Sequence, residues 1–125
     1  MDKILFINAC VRPYSRTMEL TQAVLGKLDG SIEEVQLCQM PLQTLDLAGM
    51  EKRHQAAAEK DFSDPFFDAA KQFASADVVV IAAPYWDLMF PAALKAYLEN
   101  ITVCGITFFY SLLYCIIVVL FFKLP

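Results

Sequence analysis

Two short stretches of this chain combine residue types that could do chemistry. The first is Asn8-Ala9-Cys10-Val11-Arg12-Pro13-Tyr14-Ser15-Arg16-Thr17. Ser15 and Thr17 offer hydroxyls, Arg12 and Arg16 offer positive charge, and a helix starting there would add outward-pointing backbone N–H groups. Together these make an anion site, although no glycine-rich phosphate fingerprint is present. The same residues equally suit a capped surface helix, and spacing alone leaves both readings open. The second stretch is Tyr85-Trp86-Asp87-Leu88-Met89-Phe90. Aromatic side chains this dense can stack on a planar ligand, plug the end of a sheet, or form a dimer interface. Asp87 could be an acid or base, or the polar residue of a turn. A planar ligand bearing a phosphate would occupy both stretches at once.

Other reactive residue types carry less. Cys10 directly follows an apolar run, so it could touch a ligand, but its neighbours do not mark it as an activated thiolate. It reads as a structural or ligand-lining thiol. The four cysteines, Cys10, Cys38, Cys104 and Cys115, form no C-x-x-C pair and no metal-ligand spacing. Free thiols in a reducing cytosol are the simpler reading, which makes the expected compartment cytoplasmic. The single histidine, His54, lies in a polar stretch and reads as a solvent-exposed helix residue.

The elements that position these stretches follow from hydrophobic patterning. Asp77 to Ala83 begins as an unbroken β-branched run, the pattern of a strand buried on both faces in a parallel sheet. Pro84 should end it. Pro91 suits the first residue of a helix whose Leu94, Tyr97, Leu98 and Ile101 share one face. Lys3 to Ala9 reads as another central strand, and a helix should start near Ser15 or Thr17 with Leu20, Val24 and Leu28 on one side. Asp29-Gly30 is a turn signal, Ile32 to Leu37 a second strand, and Met50 to Lys60 a surface helix. Asp64-Pro65 reads as an N-cap and first helical residue, opening a helix that carries Phe66, Phe67, Ala70 and Phe73. Strands alternating with helices predict an α/β domain with a parallel sheet and right-handed crossovers. Ligands in such sheets bind beyond the carboxyl ends of the strands, where both reactive stretches lie.

Composition sets outer limits. A length of 125 residues fits one domain with a real core, and the net charge of −4 argues against a nucleic-acid surface. The amino terminus reads as a strand and not a signal peptide.

Three separated blocks carry a family resemblance: Ile7-Asn8-Ala9-Cys10-Val11-Arg12 with Ser15-Arg16-Thr17; Val80 through Leu88 with Phe90-Pro91; and Leu94-Lys95-Ala96-Tyr97 with Gly105-Ile106-Thr107-Phe108. In this order they resemble the FMN-dependent NAD(P)H azoreductase and quinone oxidoreductase family. The resemblance covers about residues 1–110 and implies a flavodoxin-like fold of five parallel strands. It further implies that Ser15, Arg16 and Thr17 hold the FMN phosphate, with Cys10 standing where many members have a serine. Tyr85, Trp86, Asp87 and Leu88 would run along the isoalloxazine ring. The implied activity is two-electron transfer from NAD(P)H through FMN to a quinone or azo acceptor, with no protein acid or base named for the hydride step. Members are usually homodimers with flavin sites at the subunit interface.

The resemblance stops at Phe108. Residues 109–125 form a divergent apolar tail, leaving about three of five strands in a partial FMN-binding domain over 1–108. No charge occurs from Asn100 to Phe122, so the tail could be a membrane anchor. Only 109–122 depart from the family, however, and that stretch is short for a spanning helix. The length rule therefore favours a truncated reductase, impaired in activity or a non-catalytic remnant, over a tail-anchored protein. The β-branched, aromatic tail could also pair as a strand or aggregate.

Overall fold

The computed structural model describes residues 1–108 and the backbone of 117–121. Its elements are β1 (Asp2–Asn8), α1 (Arg16–Leu25), β2 (Gly30–Gln36), α2 (Leu47–Glu59), α3 (Asp68–Ala74), β3 (Val78–Ala83), α4 (Ala92–Ile101) and β4 (Ile117–Phe121). One-turn 3₁₀ segments at Leu37–Gln39 and Pro65–Phe67 follow β2 and precede α3.

The described strands form one parallel sheet in the order β2-β1-β3-β4. β1 and β3 are central and apolar on both faces, as the continuous hydrophobic runs require. Ile4 and Phe6 pack with Val80, Ala82 and Leu25 beneath α1. Leu5, Ile7, Val79 and Ile81 point the other way, against Phe73 of α3 and Leu94 and Tyr97 of α4. The tyrosine is fully buried, and among the described residues its hydroxyl has no hydrogen-bond partner. Burial alone drives that phenol well above its ordinary pKa.

Three details differ from the sequence expectation, each for a physical reason. In α1 the buried stripe is Thr17, Thr21 and Leu25, while Leu20 is exposed. The Thr21 hydroxyl donates to the Thr17 carbonyl at 2.7 Å, which lets a threonine sit in the core. That helix also ends at Leu25, and Gly30 is the first residue of β2, where any Cβ would strike the Asp2 carbonyl of β1. Pro91 is the N-cap of α4 and not its first residue, with extended ψ of 145°. Asp64 caps its one-turn helix as expected, accepting from the Phe66 amide at 2.8 Å.

Residues 117–121 of the tail are a strand. They pair parallel with β3 in unbroken register, from Val79 with Ile117 to Ala83 with Phe121. The three strands within 1–108 thus gain a fourth from the tail, bringing the described sheet to four of the five the resemblance implies. The anchor alternative needed a helix through this stretch. The remainder of the tail, 109–116 and 122–125, lies outside the described residues. Among the described residues no helix is long and apolar enough to cross a membrane.

Polar contacts hold α4 against the long β2–α3 connection. The Arg53 guanidinium donates to the carbonyls of Glu99 and Thr102 at 3.1 and 2.6 Å. The Glu99 carboxylate accepts from the Leu45 amide at 3.0 Å, and the Asn100 amide donates to the Gln43 carbonyl at the same distance. These bonds satisfy the end of α4 and fix its axis.

Candidate functional site

Both stretches singled out in the sequence lie at the carboxyl ends of the central strands. At the end of β1 the Ala9 amide still donates to the Ala82 carbonyl at 2.8 Å, so the chain leaves the sheet only at Cys10. Ser15 is the N-cap of α1, and its hydroxyl accepts from the Met18 amide at 3.1 Å. That bond commits the Ser15 oxygen to the helix. The amides of Arg16 and Thr17 precede any intrahelical partner. Arg12 and Arg16 are exposed, whereas the Thr17 side chain is buried against the sheet.

Cys10 is buried on the α1 side of the sheet. Burial raises its thiol pKa, opposed by a hydrogen bond with the Ser15 side chain. A neutral thiol packed in the core is a poor nucleophile.

The second loop has an unusual backbone. Trp86 and Met89 exchange two backbone hydrogen bonds, at 2.7 and 2.8 Å, closing a two-residue turn over Asp87 and Leu88. Both central residues have positive φ, 47° and 71°, the mark of a type I′ turn. Glycine or asparagine ordinarily fills such positions. Here a leucine that is 84% exposed occupies one of them. Left-handed backbone at a leucine costs on the order of 1 kcal/mol, and such strain clusters at ligand clamps.

A cavity of about 680 Å³ opens between this loop, the end of β1 and the first turn of α4. Its apolar wall includes Ala9, Val11, Trp86, Met89 and Phe90, and its charged lining groups are Asp87 and Lys95. This size and character match a small-molecule site. Of the residues expected from sequence, Trp86 and Asp87 line it, while Tyr85 and Leu88 stand outside its lining and are exposed. Cys10 lies between two lining residues with its own side chain turned to the opposite face of the sheet. Ser15, Arg16 and Thr17 are at the same sheet end but do not line the cavity. Cys38 and Lys95 do line it and were not anticipated. Lys95 was legible in principle, one helical turn beyond Pro91, but Cys38 arrives through the 3₁₀ turn after β2 and carries no local signal.

A parallel sheet with helices on both faces and an apolar cavity beyond its strand ends defines a doubly wound, ligand-binding α/β domain. The sequence model for the flavodoxin-like fold matches residues 2–113, and the chain belongs to that family. An FMN-dependent NADH:quinone oxidoreductase of Clostridium beijerinckii is 32% identical over 118 residues, covering 89% of this chain and 60% of that protein. A protein of the same description from Lachnoclostridium phytofermentans is 36% identical over an equal span, with the same coverage. The crystal structure of an azoreductase from Bacillus anthracis superposes with a TM-score of 0.77 at 26% identity, covering 89% of this chain and 60% of that one. The chain thus spans about 60% of the length of the curated relatives it matches.

Proposed function

We propose that this chain is the FMN-binding part of an NAD(P)H oxidoreductase that delivers two electrons to small quinone or azo acceptors. The observation that carries the reading is the apolar cavity at the carboxyl ends of β1 and β3, with the capped N-terminus of α1 at the same sheet end. A flat aromatic ring with a phosphate on a flexible stem suits that pair of features. Relatives described as FMN-dependent NADH:quinone oxidoreductases support it.

Bound FMN would supply the redox chemistry, taking a hydride from NAD(P)H and returning two electrons to the acceptor. The protein binds and orients. The amides of Arg16 and Thr17 and the Arg16 guanidinium would hold the phosphate, while the Ser15 hydroxyl fixes the helix end that presents them. Trp86 and Asp87, flanked by Tyr85 and Leu88, would border the ring, and Met89 and Phe90 would exclude water from it. Cys10 supports the loop from beneath. No residue is assigned as an acid or base for the hydride step.

In this reading residues 1–108 are a partial flavin-binding domain and 109–125 a divergent tail. The assembly is a homodimer, the compartment is cytoplasmic, and the partners are small molecules and not nucleic acid. Purified protein titrated with FMN should quench flavin fluorescence and then oxidise NADH when a quinone is added. Protein that leaves FMN fluorescence unchanged and NADH unoxidised would make this chain a non-catalytic member of its family.

A further inference from the structure

Asn8, the last residue of β1, is polar yet only 4% exposed. Its side chain does two opposite jobs at once. The amide oxygen accepts from the Cys10 backbone N–H at 2.9 Å, and the amide nitrogen donates to the Glu34 carboxylate of β2 at 3.0 Å. The Gln36 side chain donates to that same Glu34 oxygen at 3.3 Å. Beyond that amide, the Cys10 thiol donates to the Ala82 carbonyl of β3 at 4.0 Å, and the Ser15 hydroxyl accepts from the Met18 amide at 3.1 Å. Hydrogen bonds therefore run from the outer strand across the end of β1 into the loop at Cys10 and on to β3, while a separate bond ties the loop's far end to the first turn of α1.

We infer that Asn8 is the positioning residue of the loop between β1 and α1, fixing where the Arg16 and Thr17 amides stand and hence where a ligand phosphate is held. A carboxamide carries its acceptor and its donors on separate atoms, so it can accept from a backbone N–H with one arm while donating to a carboxylate with the other. An aspartate would keep the first bond and set a like charge against Glu34. An apolar residue would strand a buried N–H. Asn8 touches no ligand in this account and acts only through Cys10 and the loop. As far as it concerns phosphate, the inference rests on the flavin reading; the control of loop position does not.

The test is built on that separation. Cys10 alkylation by iodoacetamide is followed in flavin-free protein by peptide mass spectrometry, with exposed Cys38 as internal reference and urea denaturation confirming a folded state. Asn8→Asp should raise the relative Cys10 rate by about tenfold, and Glu34→Ala, an exposed change that should leave the protein folded, by about threefold. The exchanged pair Asn8→Asp with Glu34→Gln keeps the acceptor for Cys10 and replaces the like charge with a donor opposite it, and should return the rate to within about twofold of the native protein. In parallel, Asn8→Asp should weaken FMN by about tenfold while moving riboflavin, which lacks the phosphate, less than about twofold. Unchanged Cys10 rates in both single variants, or no recovery in the exchanged pair, overturn the inference. Equal losses for FMN and riboflavin overturn its phosphate part. If the native protein binds no FMN while the alkylation pattern holds, the positioning role stands and the flavin reading fails.

Discussion

The two loops that flank the candidate site are held in opposite ways. The loop after β1 is tied by side chains: Asn8 to the Cys10 amide, the Cys10 thiol to the Ala82 carbonyl of β3, and Ser15 to the start of α1. Each of these bonds joins the loop to a regular element. The loop after β3 closes on itself through two backbone bonds across a turn whose central residues, Asp87 and Leu88, have positive φ. The first arrangement presents fixed dipoles, as a small, strongly charged group demands. The second holds strain and exposes its tip, as suits a surface that must admit and release a broad planar molecule. Under the proposed flavin reading, the first loop would hold the phosphate rigidly and the second would form a yielding cover for the ring.

The contrast can be broken at its common base. Ile7 is fully buried beneath both loops, and Ile7→Ala should cost about 3 kcal/mol in urea denaturation and loosen both together. Retained stability would mean that the sheet does not couple them. Trp86→Ala should weaken flavin binding by about tenfold, read by fluorescence titration, without lowering the denaturation midpoint, because the side chain covers a cavity and not the core. Opposite signs are expected for the next pair. Ser15→Ala removes an N-cap and should destabilise by about 1 kcal/mol. Leu88→Gly relieves left-handed strain and should stabilise by about 1 kcal/mol. Same-sign results in thermal denaturation would erase the distinction between a tied loop and a strained one.

The smallest effect concerns pH. Burial raises the Cys10 thiol above its ordinary value, so the folded protein keeps a proton that the unfolded chain releases. Its stabilising contribution is complete below about pH 8.5 and is lost as pH rises through the folded value. The Tyr97 phenol acts in the same direction at higher pH. Stability should therefore fall on the alkaline side, and Cys10→Ala should flatten the lower part of that fall in denaturation measured between about pH 8 and 10.

Much of this was legible from residue types. β1 and β3 announced themselves because strands covered on both faces carry continuous apolar runs, here residues 4–7 and Val78–Ala83. The Ser15 and Asp64 caps followed from hydroxyl and carboxylate chemistry at helix starts. The face of α1 was misjudged because Thr17 and Thr21 count as polar, whereas a threonine bonded to the preceding turn is at ease in a core. The cavity was only half visible. Trp86 and Asp87 sit in a conspicuous aromatic run, but Cys38 and Lys95 reach the same space from elements far apart in sequence. The Asn8–Glu34 bond escaped for the same reason, since it depends on the register of β1 against β2.

That register has a consequence at the sheet's outer margin. β2 borders the described sheet, and along its length Glu33 and Glu34 are exposed and adjacent. Gln72 engages the first through a 2.6 Å bond, and Asn8 and Gln36 engage the second, so neither carboxylate is idle. A second molecule approaching this margin strand-first would meet one carboxylate on each face of the edge strand, and charged edge strands disfavour such pairing. The side chain that meets the Cys10 amide thus also holds one of the two carboxylates at this border of the sheet.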